Sequence, residues 1–98
     1  MKFLIVNGDD FGASEGVNRG MLEAHQRGIL TSASLLVNTP WSEHAAALSR
    51  AAPQLSVGLH ADLGTDLRGP DVPSSRLRSA LNAQFIRFEM LMNRQPTH

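Results

Sequence analysis

The chain has 98 residues, no cysteine, and nine basic and nine acidic residues that cancel in formal charge at pH 7. This length suits one small domain, and the charge balance gives no electrostatic basis for binding nucleic acid or an anionic membrane. The lack of cysteine excludes disulfides and thiolate metal sites.

The first apolar run, at residues 3–6, is followed by two adjacent acids, Asp9 and Asp10, with Gly8 and Gly12 on either side. A continuous apolar run is typical of a strand that is covered on both faces. We therefore predict a buried strand that delivers both carboxylates to the rim of a sheet. The run is far too short to span a membrane and lacks a signal-peptide pattern, so we expect a cytoplasmic protein.

A helix and a second strand follow the acids. Ser14 is placed to cap the helix, and Gly28 is placed to end it in the left-handed conformation. Residues 29–37 contain the second strand, with residues 35–37 as its most buried part.

The alternation then repeats. Ser42 is placed to cap a second helix that Pro53 stops, and residues 55–59 form a third strand that ends at His60. Because strands and helices alternate on short connections, we predict right-handed βαβ units around a parallel sheet, the α/β class.

We divide the chain as a single domain, with a βαβαβ core over 1–60 and a long loop over 61–75. An amphipathic helix is predicted over 76–93 and the start of another element over 94–98. The helix prediction depends on apolar residues at helical spacing, namely Leu77, Leu81, Phe85, Phe88 and Met92.

Polar residues follow all three predicted strands: the two acids, then Asn38, then His60. The carboxyl ends of parallel strands meet at one rim, where ligands bind in such folds. Adjacent acids suit a metal hydrolase, because one carboxylate can bind the ion while the other accepts a proton. A hydrolytic metal site typically has three protein ligands, and the residues alone supply an aspartate and a histidine.

Each of these residues also has a structural interpretation. An aspartate pair can form a turn or cap a helix, a single histidine is often a hydrogen-bonded structural residue, and Asn38 before Thr-Pro is most simply a turn former. Other polar and aromatic residues are assigned to the surface or to a helix start: His25, His44 and Trp41.

The chain resembles the YdjC-like carbohydrate deacetylases, which include chitooligosaccharide deacetylases. The resemblance lies in Ile-Val-Asn-Gly-Asp-Asp-Phe-Gly (5–12), Gly-Val-Asn-Arg-Gly (16–20), the segment 28–38, and Val-Gly-Leu-His (57–60). It implies a deformed (β/α) barrel of the polysaccharide-deacetylase kind that removes acetyl groups from N-acetylated oligosaccharides. By position, it implies Asp10 and His60 as metal ligands and Asp9 as general base; substrate-binding residues stay unassigned.

The resemblance also favours Mg²⁺ as the cofactor, although nitrogen and oxygen ligands are compatible with Zn²⁺ as well. Family members are considerably longer, and their second metal histidine lies a few positions beyond the segment that His98 matches. We therefore leave His98 unassigned and expect this chain, as a truncated deacetylase, to be inactive or weakly active alone.

Two other functions are compatible with parts of this pattern. The first is a non-catalytic fragment or interaction protein, which would self-associate through the open edge of a small sheet. The second is a signalling receiver domain, which places an acidic pair after its first strand. A receiver requires a phosphoacceptor aspartate at the end of the third strand, and His60 occupies that position.

Overall fold

A three-stranded parallel sheet with helices forms the described part of the chain. The structure is a computed structural model, and it describes residues 4–63 and 71–98. The strands lie in the order β1-β2-β3. In chain order the elements are β1 (Asn7–Phe11), α1 (Glu15–Gln26), β2 (Ser32–Leu35), α2 (Ser42–Arg50), β3 (Ser56–Leu59) and α3 (Ser74–Met92). The predicted α/β class and parallel βαβαβ order are confirmed.

Strand alternation gives the sheet one apolar face and one polar face. The apolar face contributes fully buried residues to the core, which α2 and α3 complete: Phe11, Ala33, Leu35, Val57, Ala45, Ala46 and Phe88. The opposite face carries small polar residues at Asn7, Ser32, Ser34 and Ser56. One face of the sheet therefore packs into the core, and the other presents polar side chains.

The prediction for the first strand was wrong in its position. Strand β1 begins at Asn7, so the acids lie inside the strand instead of after it. Leu4 and Ile5, predicted to be buried, are 82% and 77% exposed. The Val6 carbonyl accepts hydrogen bonds from the amides of Thr31 and Ser32, which is where the chain enters the sheet.

The first helix begins and ends as predicted. The Ser14 hydroxyl accepts a hydrogen bond from the Val17 amide at 3.1 Å, and Gly28 has the left-handed φ of 87°. The cap of the second helix was predicted wrongly. Ser42 is the first helical residue, preceded by Trp41 at the cap position, and its hydroxyl instead donates to the Leu36 carbonyl at 2.6 Å.

The Ser14 cap allows a first prediction. Ser14→Ala is expected to lower the free energy of unfolding by about 1 kcal/mol, because it removes the acceptor for an otherwise unsatisfied amide at the helix start. Urea denaturation followed by circular dichroism measures the change. Ser14→Asp, which restores an acceptor beside the positive end of the helix dipole, should recover the lost stability.

The last helix, predicted over 76–93, runs from Ser74 to Met92 and ends at Asn93 in the left-handed conformation, with φ 57°. Its buried stripe differs from the prediction. Phe85 is exposed, whereas Leu91 and the polar Gln84 are buried. Of the predicted loop over 61–75, residues 64–70 lie outside the described residues, and Ser74 and Ser75 belong to α3.

The segment after α3 returns to the sheet. The Thr97 amide donates to the Val57 carbonyl at 3.1 Å, and the Leu59 amide donates to the His98 carbonyl at 2.8 Å. The segment therefore runs beside β3 in the same direction, on the edge that β2 does not occupy. This return brings His98 next to the polar face of the sheet.

Candidate active site

A β-bulge in β1 sets the positions of the two acids. Gly8 pairs with Ala33 and Phe11 pairs with Leu35, so three steps along β1 correspond to only two steps along β2. Asp10 has the left-handed φ of 65°, a conformation that aspartate tolerates better than most residues. Successive residues of a regular strand point to opposite faces, and a bulge suspends that alternation locally. The side chains of Asp9 and Asp10 can therefore both lie at the same rim of the sheet.

Asp10 and His60 come together across the rim. The Oδ1 atom of Asp10 lies 3.1 Å from Nδ1 of His60. The backbone holds the histidine in place, because its amide donates to the Leu35 carbonyl at 2.9 Å and so prolongs the pairing of β3 with β2. The sequence predicted this pair, and the structure brings the two side chains together.

The contact between these two atoms is not a hydrogen bond. Nδ1 of His60 is buried, and it has no hydrogen-bond partner among the described residues. At 3.1 Å the two atoms are close enough to attract each other electrostatically, although they do not form a hydrogen bond. A buried nitrogen without a partner costs free energy, and such an atom calls for an explanation.

A shared cation would account for this geometry. Two ligand atoms that each lie about 2.1 Å from one ion, roughly 90–110° apart, are separated by about 3.0–3.4 Å. A carboxylate oxygen and an imidazole nitrogen are ordinary ligands for Mg²⁺, Mn²⁺ or Zn²⁺. The described residues contain no cluster of three or more histidine, cysteine, aspartate or glutamate side chains suited to a metal. The pair thus fits two positions of a metal site.

Asp9 is held by a different partner. Its Oδ1 atom accepts a hydrogen bond from Nδ2 of Asn7 at 3.0 Å. The same Nδ2 group lies 3.2 Å from the Ser34 hydroxyl, and Oδ1 of Asn7 accepts from the Ser32 hydroxyl at 2.7 Å. His98 adds Nε2 at 3.2 Å from that same Oδ1 atom. The polar face of the sheet therefore forms one hydrogen-bonded network beneath Asp9.

A buried asparagine ties the turn after β1 to helix α2. Asn18 is fully buried in α1, and its Oδ1 atom accepts from the Gly12 amide at 2.7 Å. Its Nδ2 group donates to the Trp41 carbonyl at 3.0 Å and to Nδ1 of His44 at 3.0 Å. All hydrogen-bonding groups of the side chain are thus used to join the segments that follow β1 and β2.

A second connection lies beside the first. The Thr39 hydroxyl donates to the Gly12 carbonyl, and the Thr39 amide donates to the Ser42 hydroxyl at 3.0 Å. The Leu36 amide donates to the Phe11 carbonyl at 2.7 Å. These bonds fasten the loop after β2 to the end of β1 and so fix the rim on which Asp10 stands.

Asn18→Ala is expected to lower the free energy of unfolding by about 2–4 kcal/mol, because it leaves the buried Gly12 amide without a partner and truncates a fully buried side chain. Denaturant unfolding measures the loss. Ser79→Ala, an exposed polar-to-alanine change within α3, provides a matched control that should stay within about 0.5 kcal/mol of the parent. Equal losses in the two variants would contradict the role of Asn18.

Gln84 fixes the segment that follows His60. It is a buried polar residue of α3, and its side-chain amide makes two bonds to the backbone of Asp62. Oε1 accepts from the Asp62 amide at 3.0 Å, and Nε2 donates to the Asp62 carbonyl at 2.7 Å. The last helix is thereby connected to the rim.

The remaining candidates are divided between the rim and the supporting structure. Asn38 is exposed and lines a small cleft with His60 and Gln84. Trp41 lies at the start of α2, edge-on to His44 with ring centroids 5.6 Å apart. His25 and His44, predicted to be surface residues, are only partly exposed. Nδ1 of His25 is bonded to the Leu30 carbonyl at 2.8 Å.

Sequence reasoning missed Asn7, Asn18 and Gln84 as residues that organise the site. One signal was available for Asn7. It stands two positions before Asp9, and two-residue spacing puts side chains on the same face of a strand. Ser32 and Ser34 repeat this spacing in β2. Nothing in the local patterns around Asn18 and Gln84 distinguishes a buried amide from an exposed one.

The fold is that of an α/β protein, and Asp9, Asp10 and His60 lie together toward the carboxyl ends of its parallel strands. The chain belongs to the YdjC-like protein family, whose model matches residues 3–98. None of the helices in residues 4–63 and 71–98 is sufficiently long and apolar for a transmembrane span.

The curated relatives carry deacetylase names. The chain is 52% identical over 73 residues to the carbohydrate deacetylase of Geobacillus stearothermophilus, a match that covers 74% of this chain and 30% of the relative. It is 38% identical over 120 aligned residues to the chitooligosaccharide deacetylase of Serratia marcescens, covering 99% of this chain and 47% of the relative. Each match thus covers less than half of the length of the relative.

A solved structure shares the fold. It is that of an Enterococcus faecalis protein named for a proposed cellobiose-phosphate cleavage activity. The two structures superpose with a TM-score of 0.75 at 30% sequence identity, over 96% of this chain and 46% of the other. The sheet and helices described above therefore correspond to part of a larger known fold.

Proposed function

We propose that this chain supplies part of the active site of a metal-dependent carbohydrate deacetylase, which removes an acetyl group from N-acetylated sugars. The observation that carries the proposal is the 3.1 Å contact between Oδ1 of Asp10 and Nδ1 of His60, a buried nitrogen that no described residue satisfies. The deacetylase names of the relatives support the choice of reaction.

Asp10 and His60 would hold the divalent cation, with Mg²⁺ favoured. When bound, the cation would supply positive charge that polarises the amide carbonyl of the substrate. Asp9 would act as general base and take a proton from the attacking water. Its Oδ1 atom is engaged by Asn7, so Oδ2 is the atom assigned to receive that proton. The overall reaction consumes one water and yields acetate and the free amino sugar.

The ligand count predicts low activity for the chain alone. With two candidate metal ligands among the described residues, the 98-residue protein should release little or no acetate from N-acetylated chito-oligosaccharides in added Mg²⁺, Mn²⁺ or Zn²⁺. Robust turnover that Asp9→Asn abolishes would contradict the expectation of an incomplete site, although it would support the reaction.

A chimera tests the reaction itself. Residues 1–98 would replace the matching segment of the Serratia marcescens enzyme, with which the alignment covers 99% of this chain. The chimera is expected to release acetate, and its Asp9→Asn form should lose at least about 100-fold in kcat, as is typical for a general base. A folded chimera without activity, or activity that survives Asp9→Asn, would refute the proposal.

A second candidate function is self-association through the sheet edge. It is favoured by Leu4 and Ile5, two largely exposed apolar residues that lead into β1. Exposed apolar edge strands pair readily with further chains. We propose a second copy of this chain as the partner. Light scattering should then show concentration-dependent dimers that Ile5→Lys abolishes, whereas Ile86→Lys, on the exposed surface of α3, should leave them unchanged.

A further inference from the structure

We propose that Asn7 and His98 form a positioning pair for the carboxylate of Asp9, in which His98 fixes the orientation of the Asn7 amide and Asn7 in turn fixes Asp9. The role of Asp9 as base rests on the proposed function. The contacts that carry the positioning pair are independent of it.

The first step is the orientation of the Asn7 amide. An ionised carboxylate can only accept hydrogen bonds, so the atom of Asn7 that lies 3.0 Å from Oδ1 of Asp9 must be the nitrogen. The opposite orientation would place two oxygens against each other. The amide oxygen therefore points the other way, toward the Ser32 hydroxyl and the ring of His98.

The second step is the tautomer of His98. Oδ1 of Asn7 can only accept, so Nε2 of His98, at 3.2 Å, must carry a hydrogen. Nδ1 of the neutral ring is then the acceptor, and it lies 3.0 Å from the hydroxyl of Thr97. Because the partner of one ring nitrogen determines the role of the other, the Asp9 carboxylate and the tautomer of His98 are coupled through the orientation of Asn7.

The third step is the anchoring of His98 to the sheet. The Leu59 amide donates to the His98 carbonyl at 2.8 Å, and the Thr97 amide donates to the Val57 carbonyl at 3.1 Å. Gly58 lies directly beneath, where an added Cβ would collide with the ring and carbonyl of His98. The ring is thus held on the polar face of β3 by its backbone, and it reaches across to Asn7 on β1.

The proposal assigns His98 a function other than metal binding. Its ring contacts Asn7 and Thr97, whereas the candidate ligands Asp10 and His60 contact each other. Asn7 and His98 would act on the reaction only through Asp9. Both are therefore positioning residues.

Nitrogen-15 NMR of the imidazole rings tests the tautomer in the intact chain. The spectra are recorded without added metal, at a pH above which the ring signals no longer change. His98 should carry its hydrogen on Nε2. Two other histidines serve as internal controls: His25 should carry it on Nδ1, which faces a carbonyl oxygen, and His44 on Nε2, because its Nδ1 accepts from Asn18. A His98 ring with its hydrogen on Nδ1 would overturn the proposal.

A second measurement tests the coupling to Asp9. Asp9→Ala should move the side-chain amide proton signals of Asn7 upfield and convert His98 from one tautomer to a mixture. The side-chain amide of Asn38, an exposed asparagine at the same rim, should not respond. Unchanged Asn7 and His98 signals in a folded variant would refute the coupling. Since neither measurement involves metal or sugar, both can succeed if the deacetylase proposal fails, or fail if it succeeds.

Discussion

Gly12→Ala is expected to lower the free energy of unfolding by about 2–4 kcal/mol, one of the largest effects of a single methyl group in this chain. Gly12 has a φ of 100°, and an added Cβ would lie 2.8 Å from the backbone carbonyl oxygen of Leu36. The left-handed conformation costs a residue with a Cβ about 1–2 kcal/mol. The collision adds to this cost, because relieving it requires movement of the backbone that joins β1 to the loop after β2.

Two other glycines separate these contributions. Gly28 has a similar φ of 87° but nothing within 4 Å of the added Cβ, so Gly28→Ala should cost about 1–2 kcal/mol from conformation alone. Gly20 lies within α1, also with nothing within 4 Å, and Gly20→Ala should stabilise the chain by about 0.5–1 kcal/mol. Urea denaturation of the three variants measures the change in the free energy of unfolding of each and so ranks them. A loss at Gly12 no larger than that at Gly28 would show that the contact with Leu36 is unimportant.

The element order was predictable because it depends on local patterns. Alternating apolar segments on short connections indicate a parallel α/β sheet regardless of detail, and caps such as Ser14 and Gly28 act within a few residues of the chain. The same reasoning placed the two acids and His60 at one rim, since the carboxyl ends of parallel strands in one sheet lie together, and the choice of Asp10 as the partner of His60 came from the family resemblance. The roles of these residues as metal ligands, and of Asp9 as base, stay predictions.

The first strand was misplaced because an apolar run does not reveal what covers it. Residues 4–6 have the composition of a doubly covered strand, yet burial depends on neighbours that lie far away in the chain. The β-bulge at the acids was also invisible, because the run Gly-Asp-Asp-Phe is compatible with regular pairing. A bulge depends on the partner strand as much as on the bulged one.

The supporting hydrogen bonds were unpredictable for a related reason. Asn18 bonds to Trp41, 23 residues away, and Gln84 bonds to Asp62, 22 residues away. Polar residues in helices are exposed far more often than buried, so their local patterns favour the wrong assignment. Ser42 likewise has a residue type and position suited to a helix cap, whereas its hydroxyl bonds to the carbonyl of Leu36, just after β2.

Metal titration should give the other large effect. Asp10→Asn and His60→Ala are each expected to weaken the binding of Mn²⁺ or Zn²⁺ by the intact chain by about 10–100-fold or more, because losses of that size follow the removal even of groups that only support a ligand. Asparagine is the suitable replacement for Asp10, since it keeps the shape of the side chain and also tolerates the positive φ at this position. Isothermal titration calorimetry measures the dissociation constants.

The double variant makes the test specific to a shared ion. If Asp10 and His60 bind the same cation, the combined substitution should cost much less than the sum of the two single effects, because the second change removes a ligand from a site already lost. Asn38→Ala alters an exposed residue of the same rim and should leave the affinity within about twofold. Additive losses would mean two separate weak sites, and unchanged affinity in both single variants would exclude the pair as ligands. Either result would leave the unsatisfied Nδ1 of His60 without a function in catalysis, whereas a non-additive loss would assign it to the metal.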